Sequence, residues 1–247
     1  MPITVTAFTM RRIFTLLTIS CLLTPLASMA ATTLPDSLEM VYTLKYGGMI
    51  AGNSTRHLER QSDGSYRYSL HTIPAGMART FTRVQWFEEG TFRVVKNQVR
   101  PLTYLKYRKG SSKDHRHGAS VDWEQAQILY SSGTTTALPE HYQDQGSLMF
   151  ALMLNPPTDA QVHSVQLNNG KKLSTYDYRF LRQEEIDTPL GRYKTLVIQW
   201  APHGAGEDSD IFTAWLAKDH GHVPVKIVTQ ERNKTVTLQL QSMKGLE

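Results

Sequence analysis

The chain has 247 residues, 27 lysines and arginines against 22 aspartates and glutamates, a mean hydropathy of −0.37 and a single cysteine. So mild a basic balance does not support a nucleic-acid-binding domain, which would show a concentrated cationic face. One cysteine excludes a disulfide-stapled scaffold and a multi-thiolate zinc site.

Arg11 and Arg12 precede an apolar run from Ile13 to Leu26, followed by the small residues Ala27, Ser28 and Ala30. This is the three-part pattern of a secretory signal, with cleavage expected after Ala30 or Ala31. Met10 stands directly before the arginine pair, which leaves Met1 and Met10 both open as the translation start. The run of about fourteen apolar residues is short of the ~20 a helix needs to span a bilayer. Cys21 lies inside it and Leu22, Leu23 and Leu26 continue it, unlike a lipoprotein signal. Residues 1–30 are therefore expected to be a signal peptide and 31–247 a single exported domain, periplasmic and without an integral membrane span after cleavage. Roughly 217 residues, carrying a net charge near +3 and no cysteine, are enough for an ordinary hydrophobic core.

From Glu39 onward the dominant period is two, the pattern of half-buried strands. Met40 to Tyr46 alternates Tyr42, Leu44 and Tyr46 with Val41, Thr43 and Lys45, and Gly47, Gly48 and Gly52 then mark a bend or bulge. Further strands are expected over 55–59, 65–73, 80–88, 91–95, 100–107, 116–123, 127–130 and 134–138, the third and fourth separated by Glu89-Gly90. Around 144–154 the period changes. Asp144 is placed to cap a helix whose Leu148, Met149, Leu152 and Met153 share one face, and Asn155-Pro156-Pro157 stops it. The period of two returns over 162–167, 173–182, 193–200, 211–217, 223–229 and 235–241. About a dozen strands and one short helix predict a mainly β, single-domain antiparallel barrel or strongly curved sheet.

The chemistry-bearing motifs are few. There is no Gly-x-Ser-x-Gly elbow, no His-Glu-x-x-His, no phosphate loop and no dinucleotide fingerprint, and nothing implies a cofactor or a metal. His115 with His117, and His220 with His222, have the spacing that puts two imidazoles on one strand face, but both pairs fall at turn signals, and the sequence does not place a carboxylate as third ligand. The hairpin from Arg100 to His117 carries Lys106, Arg108, Lys109 and Arg116 among tyrosines, a pattern suited either to anionic surfaces or to keeping an edge soluble. Tyr66, Tyr68, Trp86, Met149, Trp200 and Trp215 are candidates to line a ligand cavity, the alternative being that they fill a core.

Several landmarks occur in one order: Tyr46-Gly47-Gly48 with Ala51-Gly52, Arg100-Pro101-Leu102, Asp122-Trp123, Asp144 with Ser147 and Leu148, Thr188-Pro189-Leu190-Gly191 with Tyr193 and Thr195, and Trp215-Leu216-Ala217 before Val223-Pro224-Val225. In this the chain resembles the DUF3108 family of exported bacterial proteins of unknown function, from about Glu39 to Leu240, departing from its pattern at Gln145-Gly146. The resemblance implies a secreted β-rich fold and transfers no catalytic or binding residue. Three functions stay open: a non-catalytic binding protein for a lipid or other amphiphile, a packed structural or interaction protein of the envelope with a protein partner, and a hydrolase of envelope glycan or lipid. A cavity lined by Tyr, Trp and Met favours the first, a filled interior the second, and histidine converging with carboxylates in a cleft the third.

Overall fold

The computed structural model describes Met1 and residues 33–111, 115–232 and 234–246. Apart from Met1, the expected signal segment 1–30 therefore lies outside the described residues. Among those residues the chain forms fifteen strands and two helices. β1 (Ser37–Tyr46), β2 (Met49–Arg60) and β3 (Tyr66–Pro74) lead to α1 (Ala78–Phe81). β4 (Gln85–Val95), β5 (Gln98–Lys109), β6 (His117–Asp122), β7 (Gln127–Tyr130) and β8 (Thr135–Ala137) follow. β9 (Tyr142–Asp144) and α2 (Ser147–Leu154) then cross over to β10 (His163–Asn168), β11 (Leu173–Thr188), β12 (Gly191–Pro202), β13 (Ile211–Ala217), β14 (Val223–Glu231) and β15 (Lys234–Lys244).

All the strands belong to one sheet. β1 to β8 lie side by side as one meander and β9 to β15 as another, and the two wings join where β1 pairs antiparallel with β15, from Met40 opposite Met243 to Tyr46 opposite Val236. β8 and β9 are the edges and do not pair with each other, so of the two architectures expected the curved open sheet is the one that forms. It curls rather than closes. Gln143 of β9 donates through Nε2 to the Val99 carbonyl of β5 at 2.8 Å, which brings the edge of the second wing over the first. Register shifts at Val41/Tyr42, Leu44/Lys45, Phe180/Arg182 and Trp215/Leu216 give the strands the local bends such a curl requires.

Four expectations are corrected. The strand expected from Thr80 starts at Gln85, because the residues after Gly76 close a short helical turn, α1, making two helices rather than one. Glu89-Gly90 is not a break: β4 runs through it, and Gly90 is small because an added Cβ would lie 2.3 Å from the Thr103 carbonyl and 2.5 Å from Tyr68 Oη. β9, three residues long and too short to show a period, pairs parallel with β10, so the sheet is not antiparallel throughout. Finally, α2 is not amphipathic.

Ser147, Leu148, Met149, Phe150, Leu152, Met153 and Leu154 of α2 are all buried, and only Ala151 is half-buried. A helix apolar all round is one surrounded by protein, and α2 is the filling of the curled sheet. Phe150, Met153 and Leu154 join the core of Leu38, Met40, Tyr42, Tyr68 and Phe92. Leu148, Met149 and Leu152 join that of Leu196, Ile198, Trp200, Leu216 and Ile227. Each such side chain fully buried is worth roughly 1.5–3 kcal/mol of apolar transfer. The helix is therefore what lets two wings of one sheet share an interior.

Candidate functional site

Alternation along a strand puts every second side chain on the concave face. On β2 that face carries buried Ser54 and Leu58 with half-buried Arg56 between them. Register then sets a line across the strands: Met40 of β1 faces Arg56, Arg56 faces Leu70 of β3, Leu70 faces Glu88 of β4, and Glu88 faces Lys106 of β5. An inward position on a one-sided sheet normally takes an apolar residue. Here Arg56, Glu88 and Lys106 are charged.

Two of the three charges satisfy each other. Lys106 Nζ lies 3.0 Å from Glu88 Oε1 and donates to Gln145 Oε1 at 3.0 Å, while Tyr104 Oη donates to Glu88 Oε2 at 3.1 Å. Arg56 differs. Its Nε is buried with no hydrogen-bond partner, and among the described residues its guanidinium has no carboxylate within ion-pair distance. It lies over the ring of Tyr42, whose centroid is 5.3 Å away.

This charged row and Gln145 form one wall of a cleft of about 320 Å³. The facing wall is apolar, built by Leu148 and Met149 of α2, Trp200 of β12, Phe212 of β13, Ile227 of β14 and Leu238 of β15. Trp200 and Phe212 stack with ring centroids 5.4 Å apart and planes within 7°. A smaller hollow of about 160 Å³ continues from Arg56, Leu70 and Leu238 toward Thr72, Trp86 and Val236. Another hollow, of about 220 Å³, lies where α2 meets Arg100, Trp123, His141 and Gln143. Its strongest groups are already engaged: Arg100 covers the Trp123 ring at 4.9 Å, Trp123 Nε1 donates to Pro101, and Gln143 donates to Val99.

The residues singled out from sequence fall into distinct places. Met149 and Trp200 line the cleft and Trp86 its continuation. Tyr66 and Tyr68 lie in the core instead, stacked or tilted against Phe92 at 5.3 and 6.1 Å. Trp215 lines neither hollow: its Nε1 donates to Glu184 and Lys226 Nζ sits 4.6 Å from the ring centroid. The four cations of the hairpin are divided by strand alternation. Lys106 turns into the cleft, and Arg108 follows it on the face of Trp86, its partner across the strands. Lys109 covers the Phe87 and Tyr107 rings at 4.9 and 5.9 Å, and Arg116 covers Tyr107 at 5.2 Å. His71, Phe87 and Tyr107 make a stack across β3, β4 and β5 beneath those two cations.

Asp144, expected as the helix cap, stands two residues before the N-cap position, which Gly146 holds, yet its carboxylate reaches the first amide of α2. It is fully buried beside Gln145; its Oδ1 accepts from the Ser147 amide at 2.7 Å and from Tyr68 Oη at 2.6 Å. Its Oδ2 is buried without a partner. Burial pushes the carboxyl up to about 6, against the opposing pull of those hydrogen bonds. The same burial, reinforced by Asp144, holds the Tyr68 phenol well above its ordinary value.

No histidine lines the cleft or its continuation. Ser164, Asp177 and His203 do meet, at 2.7 Å for each pair, but Asp177 is the central member. A nucleophilic triad needs histidine between serine and the acid, so this cluster does not activate Ser164. The His115 and His117 rings lie 6.5 Å apart, and among the described residues no group of three or more His, Cys, Asp or Glu is placed to hold a metal ion. No helix among them is long and apolar enough to cross a membrane.

An open sheet of two meanders curled around one buried helix defines a β-barrel-like domain. The chain belongs to DUF3108, a family of proteins of unknown function whose sequence model matches residues 41–241. The fold is similar to the crystal structure of a beta-barrel-like protein of domain of unknown function DUF1849 from Brucella abortus. The identity is 9%, the TM-score 0.60, and the match covers 86% of this chain and 99% of that one. At that identity the likeness shows the fold alone. The comparison with curated proteins returns no match.

Proposed function

We propose that this is an exported, periplasmic, non-catalytic binding protein whose cleft holds a lipid or other amphiphile. The supporting observation is the asymmetry of the cleft. One wall is apolar and aromatic, the other carries Arg56, Glu88, Lys106 and Gln145, and a space of about 320 Å³ lies between them. Small-molecule sites are mostly apolar with a few convergent polar groups, at ~300–1,000 Å³. The size suits one acyl or alkyl chain better than a two-chain lipid. Periplasmic export rests on the Arg11-Arg12 and Ile13–Leu26 pattern of the N-terminus.

The test is native mass spectrometry of protein purified from the periplasm, with extraction of bound lipid, beside titration with an apolar fluorescent probe. Wild-type protein is expected to carry or take up an amphiphile. Leu238→Trp, which fills the cleft beside Arg56, is expected to weaken probe binding about tenfold or more while the melting transition stays within a few degrees, since the larger ring enters open space rather than packed core. Protein that is reproducibly ligand-free and ignores the probe would end this reading.

A further inference from the structure

We infer that the cleft selects amphiphiles with an anionic oxyanion head, a carboxylate or a phosphate monoester, and that Arg56 is the residue that recognises the head; this rests on the cleft being an amphiphile site. The argument begins with a breach of pattern. Arg56 occupies an inward position between buried Ser54 and Leu58, where folding alone favours an apolar side chain. Such breaches of a local rule concentrate at functional sites.

One donor of the guanidinium is also unsatisfied within the protein. A buried N–H without an acceptor is costly and uncommon, and Arg56 Nε is one, with no carboxylate in range among the described residues. Glu88 makes no ion pair with Arg56 and is engaged elsewhere. Leu70 intervenes between Arg56 and Glu88, and Glu88 is held by Lys106 and Tyr104. Adjacent strands lie ~4.8 Å apart, so two strand spacings separate the backbones of Arg56 and Glu88. The open place on this wall is therefore the one over Leu70, next to a guanidinium whose fork of donors matches a carboxylate or phosphate in two parallel bonds. The row has two cations against one anion, so a bound carboxylate leaves it neutral. Arg56 also lines both the main cleft and its smaller continuation, the position from which a head group is held while the chain lies along Leu148, Met149, Trp200 and Leu238.

The experiment compares ligands of one chain length that differ only at the head: dodecanoate, dodecyl phosphate, dodecanol and dodecylamine. Each is titrated below its micellar concentration by calorimetry, with the fluorescence of Trp86 and Trp200 as a second signal. Wild-type protein is expected to bind the two anions about tenfold or more tightly than dodecanol, the value of a hydrogen-bonded charge, and that preference is expected to shrink as sodium chloride is added. Arg56→Met keeps the length of the stem and removes the charge. It is expected to bring the anions to within about twofold of dodecanol and leave dodecanol binding unchanged.

Equal binding of acid and alcohol by the wild type would overturn the role of Arg56 and leave the cleft as an amphiphile site. Tightest binding of dodecylamine would overturn it in favour of Glu88. Binding of none of the four would overturn the amphiphile reading itself. The wild-type comparison requires no variant, so it decides the matter even where Arg56→Met fails to fold.

Discussion

Gly146→Ala is expected to destabilise the protein by about 3 kcal/mol, at the upper end of overpacking costs. Gly146 has φ −78 and ψ −42, ordinary helical backbone that any residue adopts, so no conformational demand requires glycine there. Space does. A Cβ at this position would lie 2.3 Å from Tyr68 Cε2 and 2.8 Å from its Cζ and Oη. Tyr68 cannot retreat: Gly90 stands within 2.5 Å of its hydroxyl by the same measure, Phe92 and Phe150 lie 6.1 and 5.6 Å away ring to ring, and its Oη is bonded to Asp144. Two glycines from distant parts of the chain thus form the socket of one buried tyrosine.

The sign separates this account from a propensity account. At an unconstrained helix start, Gly→Ala is neutral or stabilising by up to ~1 kcal/mol. Chemical denaturation of wild type, Gly146→Ala, Tyr68→Leu and the double variant measures the coupling. Most of the cost of Gly146→Ala is expected to vanish once Tyr68 is leucine. A cost that stays the same in both backgrounds would mean that the collision is not its source.

Much of the sheet is legible in the sequence because its strands are long, one-sided and separated by glycine. The run 127–130 and the run 211–217 carry the expected bounds, and Thr188-Pro189-Leu190-Gly191 forms its turn, with Gly191 at φ +121 and Thr188 Oγ1 accepting from Leu190. What escapes are features that no local period encodes. β9 is three residues, α1 is one turn, and whether the sheet closes depends on where two edges end up in space.

The site is half legible for the same reason. Met149, Trp200 and Trp86 are recognisable as large side chains at inward positions, whereas Tyr66 and Tyr68, alike in pattern, are consumed by packing against Phe92. Arg56 and Glu88 leave a trace, each sharing a strand face with buried or aromatic neighbours, Leu58 in one case and Trp86 in the other. Their meaning arises only when register lines them up through Leu70.

Asp144 yields the second large effect, and it is a pH effect. Its carboxyl lies near 3.8 in the unfolded chain and is pushed to about 6 by burial in the folded one. The folded state therefore holds this proton over a range where the unfolded state has released it. The resulting stabilisation is fully present below about pH 4 and is lost as pH rises through 6, on the order of 3 kcal/mol by pH 8. Asp63, Asp177, Glu184 and Asp187 have lowered values and act in the opposite sense, so the whole-protein profile does not isolate Asp144.

Asp144→Asn does. Asparagine retains an oxygen to accept from Tyr68 and Ser147 and removes the titration. Its amide nitrogen takes the place of an oxygen that already lacks a partner, which adds a constant cost of roughly 1–3 kcal/mol and no pH dependence. The difference in stability between variant and wild type is therefore expected to rise in the variant's favour by about 2–3 kcal/mol from pH 4 to pH 8, most steeply near pH 5, midway between the unfolded and folded values, whatever its offset. Thermal melts across that range read it directly, at roughly 2–4 °C per kcal/mol for a chain of this size. A flat difference would show that the carboxyl is not buried in solution. Asp144→Ala strips the hydrogen-bond partner from both Tyr68 and the first amide of α2 and is expected to lower stability at every pH, which separates the loss of the cap from the loss of the charge.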